Sequence, residues 1–164
     1  MSREVRKVPA SWQHPKDGFY PNGQVRYAPL HDGFMRRTAQ WDEEAAKWAK
    51  GVFPDYADEE SKAGSFESWE GSRPDPADYM PDWPESERTH FVMYEITSEG
   101  TPISPAFATP EELAQWLTDN SESTFGGSKA TYEQWLRVCK GTITPTLVIG
   151  SSGQQSGFQA LDND

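Results

Sequence analysis

Prolines and glycines, 13 of each in 164 residues, decide where this chain can be regular. Proline fixes φ and removes a backbone donor, so helix interiors exclude it and strands hold it only at edges or bulges. Residues 1–34 contain Pro9, Pro15, Pro21 and Pro29 with Gly18, Gly23 and Gly33, which forbids a long helix there. Trp12, Phe19, Tyr20, Tyr27 and Leu30 are the apolar anchors of that stretch. It reads as an extended arm, pinned across the surface by its aromatic rings. Residues 52–88 are punctuated in the same way and rich in acids. Apart from a helical turn around Glu67–Trp69, they read as loop.

Regular patterns survive in the remaining intervals. In Met35–Lys50, Trp41, Ala45 and Trp48 recur at helical spacing and Gly51 closes the pattern. Asp42, Glu43 and Glu44 lie nearer its start and Lys47 and Lys50 at its end, as the helix dipole favours. His90–Thr97 is the best strand, with Val92, Tyr94 and Ile96 on one side and Phe91, Met93 and Glu95 on the other. Thr101–Phe107 is a short extended return interrupted by Pro102 and Pro105. Thr109-Pro110-Glu111-Glu112 combines a capping threonine, proline at the first helical position and a glutamate that completes a capping box. Leu113, Trp116 and Leu117 then form the buried stripe. A third helix, capped by Ser128 or Thr131, buries Tyr132, Trp135, Leu136 and Cys139 and ends at Gly141. A short strand at Thr146–Ile149 and a last one at Gly157–Leu161 flank a polar turn.

These elements predict a single domain of the α+β class. A small antiparallel sheet packs with about three helices, in an α+β core at 89–164. The arm (1–34), the first helix (35–51) and the acidic loop (52–88) precede it. The expected core is Trp41, Trp48, Val92, Tyr94, Ile96, Leu113, Trp116, Leu117, Trp135, Leu136 and Val148.

Charge is unevenly spread within a net of −11. Residues 1–40 hold seven basic and three acidic side chains, residues 41–89 five and fourteen, and residues 90–164 three and nine. A chain this acidic repels nucleic acid at long range, so binding to duplex DNA is not expected. The acidic middle reads as a solvated face; its sharper alternative is a surface for a basic partner. No apolar run approaches the ~20 residues of a membrane span, and no signal-peptide pattern opens the chain, so no membrane association and a cytoplasmic location are expected. The lone Cys139 excludes an internal disulfide framework and a cysteine-based zinc site, and reads as a small buried hydrophobe. His14, His31 and His90 lack metal-ligand spacing. No phosphate loop, dinucleotide fingerprint or nucleophile elbow is present, so neither metal nor cofactor is expected.

The densest polar constellation is Tyr94–Pro105. Glu95, Ser98, Glu99, Thr101 and Ser104 crowd one turn there, and two carboxylates beside hydroxyls suit acid–base work or a hydroxyl-rich ligand. The simpler reading is a hairpin whose hydroxyls satisfy loop backbone, with Gly100 supplying a positive φ. The arm contributes a second group: Arg6 and Lys7 for anions, Trp12 for stacking, His14 as donor or acceptor. The turn and the Arg6–Pro15 arm are expected to converge on one ligand-binding surface built from Arg6, Trp12, His14, Glu95, Ser98, Glu99, Thr101 and Ser104.

Val5-Arg6-Lys7-Val8-Pro9 with Trp12, His14 and Pro15 resembles the opening of a family of small bacteriophage-encoded proteins. The likeness continues through Tyr27–Asp32, the Trp41/Trp48 helix, Tyr79-Met80-Pro81, Thr89–Leu117, Ala130–Trp135 and Thr144–Ile149. Its specific part is SEGTPISP followed by TPEELA; Asp55–Asp78 has no counterpart. The resemblance implies viral origin and expression in the cytoplasm of a bacterial host. It carries no activity and no catalytic residue. The resulting expectation is a non-enzymatic accessory protein that binds a host protein or a small nucleotide-like signal molecule and blunts antiviral defence. The alternatives are a small enzyme acting on a nucleotide-like or sugar-like substrate through Glu95 or Glu99 with His14 or His90, and a virion or structural accessory protein.

Overall fold

The computed structural model describes residues 3–97, 100–120 and 130–141, and the backbone of 147–150 and 153–156. The fold is α+β. Strand β1 (Arg3–Val8) pairs antiparallel with β4 (His90–Glu95), in register from Arg3 opposite Glu95 to Val8 opposite His90. Strand β5 (Thr101–Pro102) continues on the far side, so the sheet order is β1-β4-β5. β2 (Lys16–Phe19) and β3 (Val25–Tyr27) form a separate hairpin, as do β6 (Leu147–Gly150) and β7 (Gly153–Ser156). Helices α4 (Pro110–Asp119) and α5 (Tyr132–Cys139) cover one face of the sheet.

The arm is therefore not simply laid on a surface. Its first six described residues are a sheet strand, and its middle is a hairpin. Proline spacing explains the division: Pro9 ends β1, Pro15 precedes β2, and Pro21 sits in the turn between β2 and β3. The expected last strand at 157–161 lies outside the described residues, and β7 falls instead in the polar run before it.

Strand β4 is central, and Val92, Met93 and Tyr94 are all buried. Its apolar run matches a strand covered on both faces rather than one. The helical core forms on the face of Met93 and Phe91, where Leu113, Ala114, Leu117, Trp135, Val138 and Cys139 pack. The expected core had been placed on the opposite face. Val92 and Tyr94 are buried there, but against the arm; Ile96 lies past the end of the strand and is exposed. Trp41, Trp116 and Leu136 are half-buried, and the side chain of Val148 lies outside the described residues.

Both capping boxes are formed. Thr109 Oγ1 accepts the Glu112 N–H at 3.2 Å, and the Glu112 carboxylate accepts the Thr109 N–H at 3.2 Å. Thr131 and Gln134 repeat the arrangement at α5. Thr109→Ala is expected to lower stability by about 1 kcal/mol, read from the urea midpoint, while Thr109→Ser leaves it nearly unchanged.

The contacts gather the chain into two compact units, Leu30–Asp82 and the remainder. In the first, α1 (Phe34–Ala49) follows Gly33, which is left-handed at φ 77°. The stretch expected to be loop holds one short helix that was not anticipated, α2 (Glu59–Ala63), and the helical turn expected around Glu67–Trp69 is the short helix α3 (Phe66–Glu70). Asp58 and Ser65 cap them by accepting the Ser61 and Ser68 N–H groups. Two indole N–H groups of α1 fasten this stretch, Trp41 to the Gly71 carbonyl and Trp48 to the Gly64 carbonyl, each at 3.1 Å. Arg73 adds a two-pronged bond to Asp42, both arms at 2.8 Å.

Candidate ligand-binding cleft

The turn after β1 positions the site. The Trp12 N–H bonds the Pro9 carbonyl at 3.0 Å, and the β2–β3 hairpin then returns so that the Ala28 N–H bonds the Pro15 carbonyl at 3.0 Å. This brings Trp12 and His14 onto Tyr94 of β4. The Trp12 indole N–H donates to the Tyr94 hydroxyl oxygen at 3.2 Å, and His14 Nδ1 lies 3.1 Å from the same oxygen. His14 Nε2 faces the Ala28 carbonyl at 2.5 Å. A carbonyl only accepts, so Nε2 carries the proton and Nδ1 accepts from the Tyr94 hydroxyl. The result is a directed chain from indole to phenol to imidazole to backbone, with every polar atom taken up.

Burial pushes the His14 pKa below its ordinary value, the Ala28 hydrogen bond opposes that shift, and the nearby Arg6 charge adds to it. Arg6, Lys16, Tyr27 and Tyr94 are the titratable or charged groups around the ring. The unfolded chain then binds a proton at His14 more readily than the native one. Stability from this residue is complete above the unfolded value of about 6.5 and is lost as the pH falls through the lower folded value. Urea midpoints between pH 8 and pH 5 should fall on acidification, and His14→Gln should reduce that slope. The depressed carboxylates Asp42, Glu43, Asp58 and Glu111 act only at lower pH.

Above this chain lies a cleft of about 430 Å³. Trp12, Tyr27, Pro102, Ile103 and Pro105 give it apolar walls; His14 and Ser104 contribute to its lining; Lys16 and Gln13 are its exposed polar groups. Among the described residues Lys16 has no carboxylate partner. The arm and the end of the SEGTPISP segment thus share one cleft.

The expected site residues divide accordingly. Trp12, His14 and Ser104 line the cleft. The Ser104 hydroxyl is engaged, accepting the Met93 N–H at 3.0 Å and donating to the Pro105 carbonyl at 2.8 Å. Arg6 is buried; its Nε pairs with Glu4 at 2.6 Å and its guanidinium stands 4.5 Å over the Tyr94 ring. Its charge supports the cluster from beneath rather than facing the cleft. Glu95 accepts the Thr97 hydroxyl at 3.1 Å and, like Thr101 opposite it in the ladder, does not line the cleft. Gly100 has the expected positive φ, 100°, and its N–H closes the turn onto the Glu95 carbonyl. Ser98 and Glu99 lie outside the described residues. Lys16 was not singled out in the sequence and Tyr27 only as an apolar anchor of the arm; the signal available for them was their place at the two ends of one hairpin.

A hollow of about 450 Å³ between β1 and the end of α5 is less suited to a ligand. Of its three cations, Arg3, Lys7 and Lys140, Lys140 is paired with Glu111 at 2.7 Å and Lys7 approaches Glu85 at 4.0 Å. Cys139 in its wall is buried, and burial, with the Glu111 charge second, raises its thiol to about 12, so it stays protonated at neutral pH. Among the described residues no three His, Cys, Asp or Glu side chains converge as a metal site would require, and no helix is long and apolar enough to cross a membrane. Comparison with protein-family models, with curated proteins and with solved structures finds no match for this chain.

Proposed function

We propose that the protein acts by binding, and that the cleft over Trp12 and His14 takes a small, flat, anion-bearing ligand of the nucleotide class. The observation that carries this reading is the pairing of aromatic and prolyl walls with a single uncompensated cation, Lys16, at an exposed edge. Flat rings stack on such walls, and the ammonium meets a phosphate as a point charge. Binding is favoured over acid–base chemistry because both His14 nitrogens are engaged and Glu95 does not line the cleft. With the resemblance to phage proteins, the reading extends to an accessory protein that sequesters a host signal nucleotide and so blunts antiviral defence. Titration calorimetry with a panel of mono-, di- and cyclic nucleotides tests the first step. Trp12→Phe and Lys16→Ala, confirmed folded by circular dichroism, should weaken binding; failure of every nucleotide would end the reading. Infection of a defended host tests the second: phage carrying Lys16→Ala should lose the protection that wild type gives.

A further inference from the structure

Leu30–Asp82 builds a recess of its own, with aromatic walls. Trp48 of α1 stacks on Trp69 of α3, ring centres 5.5 Å and planes 30° apart. Phe53 stands edge-on to Trp48 at 4.8 Å, and Tyr56 lies 6.0 Å from Trp69 at 32°. With Phe66 and Pro54 these rings bound a cleft of about 280 Å³.

Trp48 and Phe66 are buried and form the core of this unit, which accounts for them. Core packing does not account for Tyr56, whose residue is 81% exposed although its ring lines the cleft. Nor does it account for the carboxylates. Glu44 and Glu70 line the same cleft as the aromatic rings. Glu70 is held by Arg37, and Lys47, also in the lining, is held by Glu43 at 2.7 Å. Glu44 accepts the Gln40 amide at 2.9 Å and, among the described residues, makes no ion pair. Across Leu30–Asp82, six basic side chains face thirteen acids. The charges of Lys47 and Arg37 are felt by Glu44, but Glu44 and Glu70 against Lys47 leave the lining net negative beside its aromatic rings.

The face of an aromatic ring is negative and attracts cations, most strongly where water is partly excluded. The net negative charge of the lining disfavours an anion, and a neutral apolar group makes no use of Glu44. A simple ammonium is tightly hydrated. An alkylated ammonium sheds its water easily and presents methyl groups to the rings while keeping its charge. The volume falls just below the ~300–1,000 Å³ of ordinary small-molecule sites and matches one compact head group.

We propose that this cleft binds a methylated ammonium group, with Tyr56 and Trp69 as the aromatic faces and Glu44 as the counter-charge. A free quaternary amine and a methylated lysine of a partner protein share that chemistry. The test titrates the intact protein with choline, with doubly capped trimethyllysine, and with 3,3-dimethyl-1-butanol, which has the shape of choline without its charge. Tryptophan indole N–H resonances report binding. Both cations should bind at least about 10-fold more tightly than the alcohol. Tyr56→Ala should lose roughly that factor and Tyr56→Phe retain it, and Glu44→Gln should weaken the cations alone. Tighter binding of choline assigns the site to a free amine, and tighter binding of the lysine derivative to a partner's side chain. Equal binding of the alcohol, absence of binding by either cation, or unchanged affinity in a folded Tyr56→Ala protein would overturn the proposal.

Discussion

Trp135→Ala should remove about 3–5 kcal/mol of stability, the largest effect expected of a single truncation among the described residues. Trp135 is fully buried on α5, in the cluster with Met93 of β4 and Leu113 and Leu117 of α4. Its ring occupies the layer where the sheet meets both helices, so alanine would leave a cavity with rigid walls. Domains of this size are stable by only about 5–15 kcal/mol, so the variant should unfold at far lower urea and melt well below wild type. Trp116→Ala is the control. That ring is half-buried and tilted 45° to Phe107, with 6.3 Å between ring centres. Its replacement should cost about half as much, because less surface returns to water. Equal losses at the two positions would mean that Trp135 is not the centre of the core.

Tyr94→Phe should cost nearly as much, although it deletes one oxygen. That oxygen accepts from Trp12 and donates to His14, and Tyr94 and His14 are both buried. Without it an indole N–H and an imidazole nitrogen lose their partner, at roughly 1–3 kcal/mol for each group left unsatisfied. The ring itself remains for Arg6 to cover, so packing is conserved. A double-mutant cycle separates the two losses. Combined with Trp12→Phe, Tyr94→Phe should cost clearly less than the sum of the single changes, because the donor and its acceptor vanish together. Strict additivity would show that the hydroxyl does not bridge them.

The helix starts were legible in the sequence because capping is local. Thr109-Pro110-Glu111-Glu112 carries its signal within four residues and its box formed, whereas at α5 the cap was left open between Ser128 and Thr131, and the structure shows Thr131 boxed with Gln134. Of the two short helices, α3 was expected only as a turn at Glu67–Trp69 and α2 not at all, since five residues leave no room for a helical period, although Asp58 and Ser65 are ordinary caps. The core face of β4 was not legible. Its run His-Phe-Val-Met-Tyr-Glu has no clean alternation, because a central strand is covered on both sides. β1 was hidden for another reason: Arg-Glu-Val-Arg-Lys-Val reads as a charged arm until its partner is known. At the site, the meeting of Trp12, His14 and Ser104 was anticipated from the polar density of the two segments. The role of Arg6 was not, because only the fold shows that a buried cation already has Glu4 and the Tyr94 ring. Lys16 was not legible because its place in the cleft depends on the short β2–β3 hairpin lying near Tyr94, whose contact with His14 spans 80 residues of sequence.

The pairing of Arg3 with Glu95 sets a timetable for folding. All of Leu30–Asp82 lies between the two strands and holds its own contacts, so it can condense while β1 is still without its neighbour. At a synthesis rate of roughly 5–20 residues per second, the waiting strand stays open for about 5–20 s on the ribosome. Arg3, Glu4, Arg6 and Lys7 make four of its six side chains charged, the kind of strand that resists edge-to-edge pairing while unpartnered. During refolding of the intact chain, pulsed hydrogen exchange should protect amides of α1 before those of β1. Simultaneous protection would mean that the sheet closes as early as the segment that separates its strands in sequence.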